Sequence, residues 1–175
     1  MTVALAILSS VSWGGVAFYQ TWRDWRDRLL PPGPSLLAVA ITWLTGWSGW
    51  HWSSAIFLHH VEAGLGLGVL WAPLWWWGGL GLGDLGTAIA LGLSLGTLPA
   101  FAALGMGLVA TLIGWGSLRG VRAITGRSRI ETPQSDGTPP LIPLGPGLWL
   151  AGWGVWLWLV WIHNAPAHGL LMINR

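Results

Sequence analysis

The run Trp75-Trp76-Trp77-Gly78-Gly79-Leu80-Gly81-Leu82-Gly83-Asp84 separates two long apolar segments and decides how the chain is read. Tryptophans gather where a membrane helix meets water. The glycines from Gly78 to Gly83 break one helix before the next. Asp84 then places a carboxylate at the head of further membrane-like sequence. An ionisable group there is costly and asks for a functional reason.

Working outward, the composition agrees. Charged residues are 8% of the 175, far below the ~25% of soluble domains, and hydrophobic residues are 53%. So few charges cannot cover a soluble surface, and the fold class read here is all-α, a polytopic membrane protein with about six transmembrane helices. All 8 basic residues are Arg, and the net charge is only +2, so nucleic acid is not an expected partner. With no cysteine there is no disulfide, thiolate metal site or cysteine nucleophile.

Apolar segments fall at about Val3–Tyr19, Ser35–Trp50, Ala55–Trp77, Asp84–Leu98, Ala100–Leu118 and Leu144–Ile162. The first lacks a basic leader and a cleavage site, and reads as a retained helix. Pro31, Pro32 and Pro34 break the path after it, and Pro99 marks the end of the fourth segment. Residues 1–175 show no separate soluble domain, and 119–140 form the longest polar stretch, a basic loop. If 23–28 lies in the cytoplasm, an alternating path puts 78–83 and 119–140 there too. Every arginine but Arg175 then faces inward, as the positive-inside rule requires. Trp43, Trp47, Trp50 and Trp52 are expected in the outer interfacial belt, and Gly64, Gly66 and Gly68 in close helix packing.

The same path returns Asp24, Asp27 and Asp84 to one membrane face. Two facing carboxylates can hydrolyse a peptide. One activates water while its protonated partner donates to the carbonyl. The residues alone leave a plainer reading open: Asp24 and Asp27 as ion-paired loop residues, and Asp84 as an N-cap.

Three separated stretches resemble the type IV prepilin leader peptidases, a family of GxGD intramembrane aspartyl proteases. They are Asp24-Trp-Arg-Asp-Arg-Leu-Leu-Pro31, Gly81-Leu-Gly-Asp84 with the small-residue run to Gly96, and Ile142-Pro-Leu-Gly-Pro146. The resemblance implies catalytic Asp24 and Asp84, with Gly81 and Gly83 letting substrate backbone approach. It sets Asp27 aside as a variable position. It implies cleavage of a short basic leader from prepilin-like proteins at the cytoplasmic face of a bacterial or archaeal membrane, with the substrate helix docked in the bilayer. No metal or organic cofactor is required.

Two departures stand out. Gly86 occupies a position where the family usually has Lys, and the cysteine-bearing methyltransferase insert is missing, so peptidase activity alone is expected. The alternatives are a non-catalytic assembly or scaffold protein, or a small proton-coupled transporter using Asp84. The His59-His60-x-Glu62 string gives no reliable ligand geometry, and no metal is expected there. The arginines of 119–129 suit anionic lipid better than a basic leader, which they would repel.

Overall fold

The structure, a computed structural model, describes residues 3–27, 30–77, 81–124 and 144–164. Its six helices are α1 (Val3–Asp27), α2 (Pro32–Gly49), α3 (Ser54–Trp76), α4 (Leu82–Leu95), α5 (Thr97–Ile124) and α6 (Gly145–Asn164). The fold is all-α. α1, α3, α5 and α6 are long and apolar enough to cross a bilayer, so the chain is a multi-pass membrane protein. α4 has only 14 residues. At 1.5 Å per residue it spans about 21 Å, short of a ~30 Å hydrocarbon layer.

Successive helices alternate in direction. The end of α1 meets the starts of α2, α4 and α6, because one cleft joins Asp24, Pro32 and Asp84, and Gly145 abuts Asp24. At the opposite end Trp50 lies 5.3 Å from Trp156, and Gly96 lies beside His59 and His60. α4 is the central helix, packed on α2, α3, α5 and α6. Its Ala88, Ala90, Leu91 and Leu95 are buried.

Small residues set the α3–α4 approach. A Cβ added at Gly92 would lie 2.7 Å from the Ala63 carbonyl oxygen and from the Gly64 Cα. Gly64 in turn receives Leu93, and Gly68 receives Ile89. Gly66, read from sequence as a third packing glycine, meets nothing within 4 Å. Lipid tails are as apolar as side chains, so such close van der Waals contact does much of the work of association. Gly92→Ala should therefore destabilise the fold by about 1–3 kcal/mol, as overpacking against backbone does. Thermal unfolding in detergent would read this, with Gly66→Ala as the neutral comparison.

Tryptophan makes the other core. Trp13 is fully buried, 5.6 Å from Trp149 and 6.1 Å from Trp156, and its Nε1–H donates to Thr42 Oγ1 at 3.1 Å. Trp153 Nε1–H donates to the Ser10 carbonyl at 3.1 Å. A buried indole brings one donor, and each of these two bonds ties two helices together; the Nε1 atoms of Trp149 and Trp156 have no partner among the described residues. The expected outer belt is only partly a belt. Trp47 is exposed, but Trp43 turns inward and donates to the Leu93 carbonyl at 3.0 Å, and Trp50 packs on Trp156.

Several helix ends differ from the sequence reading. α2 starts at Pro32, so Pro32 and Pro34 lie in its first turn and do not precede it. α1 continues past Tyr19 through the charge cluster, where Arg23 and Asp27 pair across one turn at 2.6 Å. The fourth helix stops at Leu95, because Gly96 takes φ 77°, a conformation that costs glycine little. Pro99 sits instead in the first turn of α5, where its missing N–H is harmless. α5 runs to Ile124, so the first residues of 119–140 are helical; 125–140 lie outside the described residues.

Candidate active site

α1 buries a stripe of Ala6, Ser9, Trp13, Val16, Ala17, Gln20 and Asp24, at the three- and four-residue spacing of one helix face. Asp24 ends this stripe and is buried, 7% exposed. Asp27 lies off it. Its carboxylate is held by Arg23 at 2.6 Å and approached by Arg26 Nε at 3.6 Å. Arg26 also lies over the Trp22 ring, 5.4 Å from its centre. The ion-paired surface reading therefore holds for Asp27, whereas Asp24 points into the bundle.

Asp84 is the third residue of α4 and half-buried. It is not the N-cap, which is Gly81. Its Oδ2 accepts the Gly81 N–H at 3.3 Å, the carboxylate half of a capping box. The Gly81 carbonyl accepts from Asp84 N–H at 3.1 Å and Leu85 N–H at 3.2 Å. These bonds fix the first turn and the position of the carboxylate with it. Thr87, fully buried one turn on, donates to the Gly83 carbonyl at 2.9 Å.

Asp24 and Asp84 line the same cleft, of about 390 Å³, with Leu30, Pro32, Gly81, Leu82 and Gly83. The cleft has room for water and a short length of chain, since one water occupies about 30 Å³. α4 and α6 both begin here, and their positive ends offset part of the cost of holding two carboxylates together. Two acids lining one cleft, with an apolar wall of leucine and proline, form an arrangement suited to acid–base hydrolysis. No family model matches the chain, and neither does any curated protein or solved structure compared with it. What the cleft can do therefore follows from its own residues.

The two glycines differ. At Gly81 an added Cβ would meet, among the described residues, Asp84 Oδ2 at 3.4 Å and Gly83 N at 4.0 Å. At Gly83 the space is filled by Leu30, whose Cβ would lie 2.7 Å away. Gly83 thus seats Leu30 as part of the cleft wall. Of the stretch 142–146, residues 142 and 143 lie outside the described residues. Gly145 starts α6, and a Cβ there would lie 2.7 Å from Asp24 Oδ2 and 3.1 Å from Leu30 Cδ1. This contact with the carboxylate was not legible in the sequence. Leu30 and Pro32 were likewise missed as wall residues. Gly86 is exposed with nothing within 4 Å, so its lack of a side chain leaves the site's packing unaltered.

The histidines belong to the far end. His60 is buried, its Nδ1 3.2 Å from the Leu93 carbonyl and its ring 4.2 Å from Trp52. His59 Nε2 lies 3.5 Å from Thr97 Oγ1, and Glu62 is exposed.

Proposed function

We propose that the chain is an intramembrane aspartyl endopeptidase that removes the short basic leader of prepilin-like proteins. The observation that carries this reading is the shared cleft of Asp24 and Asp84, with Asp27 tied off by arginine beside it. One carboxylate takes a proton from water as its oxygen attacks the scissile carbonyl carbon. The other, protonated, gives its proton to the carbonyl oxygen. The gem-diol intermediate then collapses: the aspartic acid formed in the first step gives its proton to the leaving amine, the C–N bond breaks, and the other aspartate takes a hydroxyl proton from the intermediate, which restores the pair. No metal or organic cofactor enters these steps. The tightly packed Trp13, Trp149 and Trp156, all fully buried, favour a one-sided cleft over a transporter's path to both faces.

In this reading the cleft faces the cytoplasm, which Arg23 and Arg26 on either side of Asp24 in the sequence favour, and the membrane is the bacterial or archaeal one that the resemblance implies. The substrate's apolar helix lies in the bilayer, so that its leader junction reaches the two aspartates. The test is cleavage of a co-expressed prepilin-like protein, followed by the size of the product, with and without both carboxylates. Asp27→Asn in the same assay keeps activity within about threefold, as removal of an exposed ion pair should. Its complete loss of activity would transfer the first catalytic role to Asp27.

A further inference from the structure

One glutamine stands out in α1. Gln20 is fully buried one helical turn before Asp24, on the same face. Its side-chain amide reaches out of α1 to the next segment. Nε2 donates to the Pro31 carbonyl at 2.9 Å and to Ser35 Oγ at 2.9 Å. The orientation of the amide is fixed by chemistry, because a carbonyl only accepts and the atom facing Pro31 must be the nitrogen. Both N–H groups are thus spent on the segment that carries Leu30 and Pro32, two walls of the cleft. Leu30 in turn fills the space at Gly83 and touches the position of Gly145. Oε1 is buried with no donor among the described residues. A buried acceptor of that kind is costly to a fold, so the amide is poorly explained as packing alone.

We propose that Gln20 is a positioning residue that clamps the Leu30–Pro32 lip against the first turn of α4 and so shapes the substrate side of the cleft. The proposal rests on the peptidase reading of Asp24 and Asp84. Asp24 itself is carried on α1, which packs along α6 without help from this amide. Loss of the clamp therefore loosens the wall and leaves the two aspartates in place. It weakens substrate seating more than the chemical step.

Gln20→Leu is the direct variant. It removes the orphaned acceptor and keeps an apolar volume in the core, while Pro31 is only half-buried and Ser35 can turn to its own helix backbone. Because the chain has no cysteine, Leu30→Cys supplies a single thiol on the lip. In the full chain reconstituted in bilayers, Gln20→Leu should raise the rate at which a membrane-impermeant maleimide labels Leu30→Cys by about tenfold, the loss of two modest hydrogen bonds. Without the thiol, Gln20→Leu should raise KM for a prepilin-like substrate about tenfold and leave kcat within about threefold. A purely structural glutamine would lower the active fraction, and with it kcat, at constant KM. Unchanged labelling in a folded Gln20→Leu protein, or a fall in kcat at constant KM, overturns the proposal. Faster labelling in a chain whose wild type cleaves nothing would leave the clamp standing and remove the peptidase reading. If Gln20→Leu does not fold, Ser35→Ala keeps the Pro31 bond and should give a smaller rise in labelling; no rise there overturns the clamp.

Discussion

Asp24→Asn and Asp84→Asn are each expected to lower the cleavage rate by ~10²–10⁴-fold, the range that general acid–base catalysis supplies. The substitution is close to isosteric and removes both the negative charge and the ability to exchange a proton. At Asp84 the amide oxygen can still accept the Gly81 N–H, so the first turn of α4 persists. At Asp24 the buried side chain keeps its volume beneath Gly145. Both variants should therefore fold, as thermal unfolding in detergent would show, and processing of a co-expressed substrate should fail in both. The double variant should be little worse than either single one, because the two acids act as one unit. Full processing by a folded single variant would reject the pairing.

Gly145→Ala should damage the site directly through Asp24. Its new Cβ would meet Asp24 Oδ2 at 2.7 Å, Asp24 Cγ at 3.0 Å and Leu30 Cδ1 at 3.1 Å. The carboxylate cannot share that space, and neither can the lip, so the acid is pushed from its place facing Asp84. A misplacement near 1 Å costs about 10²-fold in rate where reacting groups must be aligned. The expected result is a ~10²-fold fall in kcat/KM with a stability loss of about 1–3 kcal/mol, typical of overpacking. Rates and unfolding measured on one preparation separate the two effects. A rate within threefold of wild type would mean that Asp24 does not need the geometry seen here. Gly86 is the contrast: a Cβ there meets nothing within 4 Å among the described residues, so Gly86→Ala should leave the rate within about threefold.

What the sequence carried was the large-scale order. Long apolar runs and the arginine pattern are properties of stretches, so they survive errors of several residues at each boundary. That was enough to bring Asp24 and Asp84 to one end of a six-helix chain. Asp24 and Asp27 required more, because separating them depends on helix phase. α1 continues past the apolar run, and its buried stripe then selects Asp24 and leaves Asp27 to Arg23. The same stripe could have flagged Gln20, a polar residue one turn before Asp24 in a largely apolar helix. Its hydrogen-bond partners, Pro31 and Ser35, belong to a different segment and could not be inferred from that stripe. Gly145 was visible as part of a motif, yet its contact with Asp24 joins distant parts of the chain. The internal contacts of Trp43 and Trp50 were missed for a related reason. An indole near a helix end is read as interfacial by default, and only the neighbouring helices show that its N–H or its ring has an internal partner. Pro99 misplaced a helix end because proline also suits a first turn, and the true break lay at Gly96.

The central claim is that one water-filled cleft with two aspartates cuts a prepilin-like protein at its leader. The direct measurement is the mass of the peptides released when the purified chain, in bilayers and with a chelator present, meets such a substrate. The account predicts a single cut between the basic leader and the apolar helix, undiminished by the chelator and absent with Asp24→Asn or Asp84→Asn. No cut by the folded wild-type chain, or a cut that persists in both variants, would contradict it.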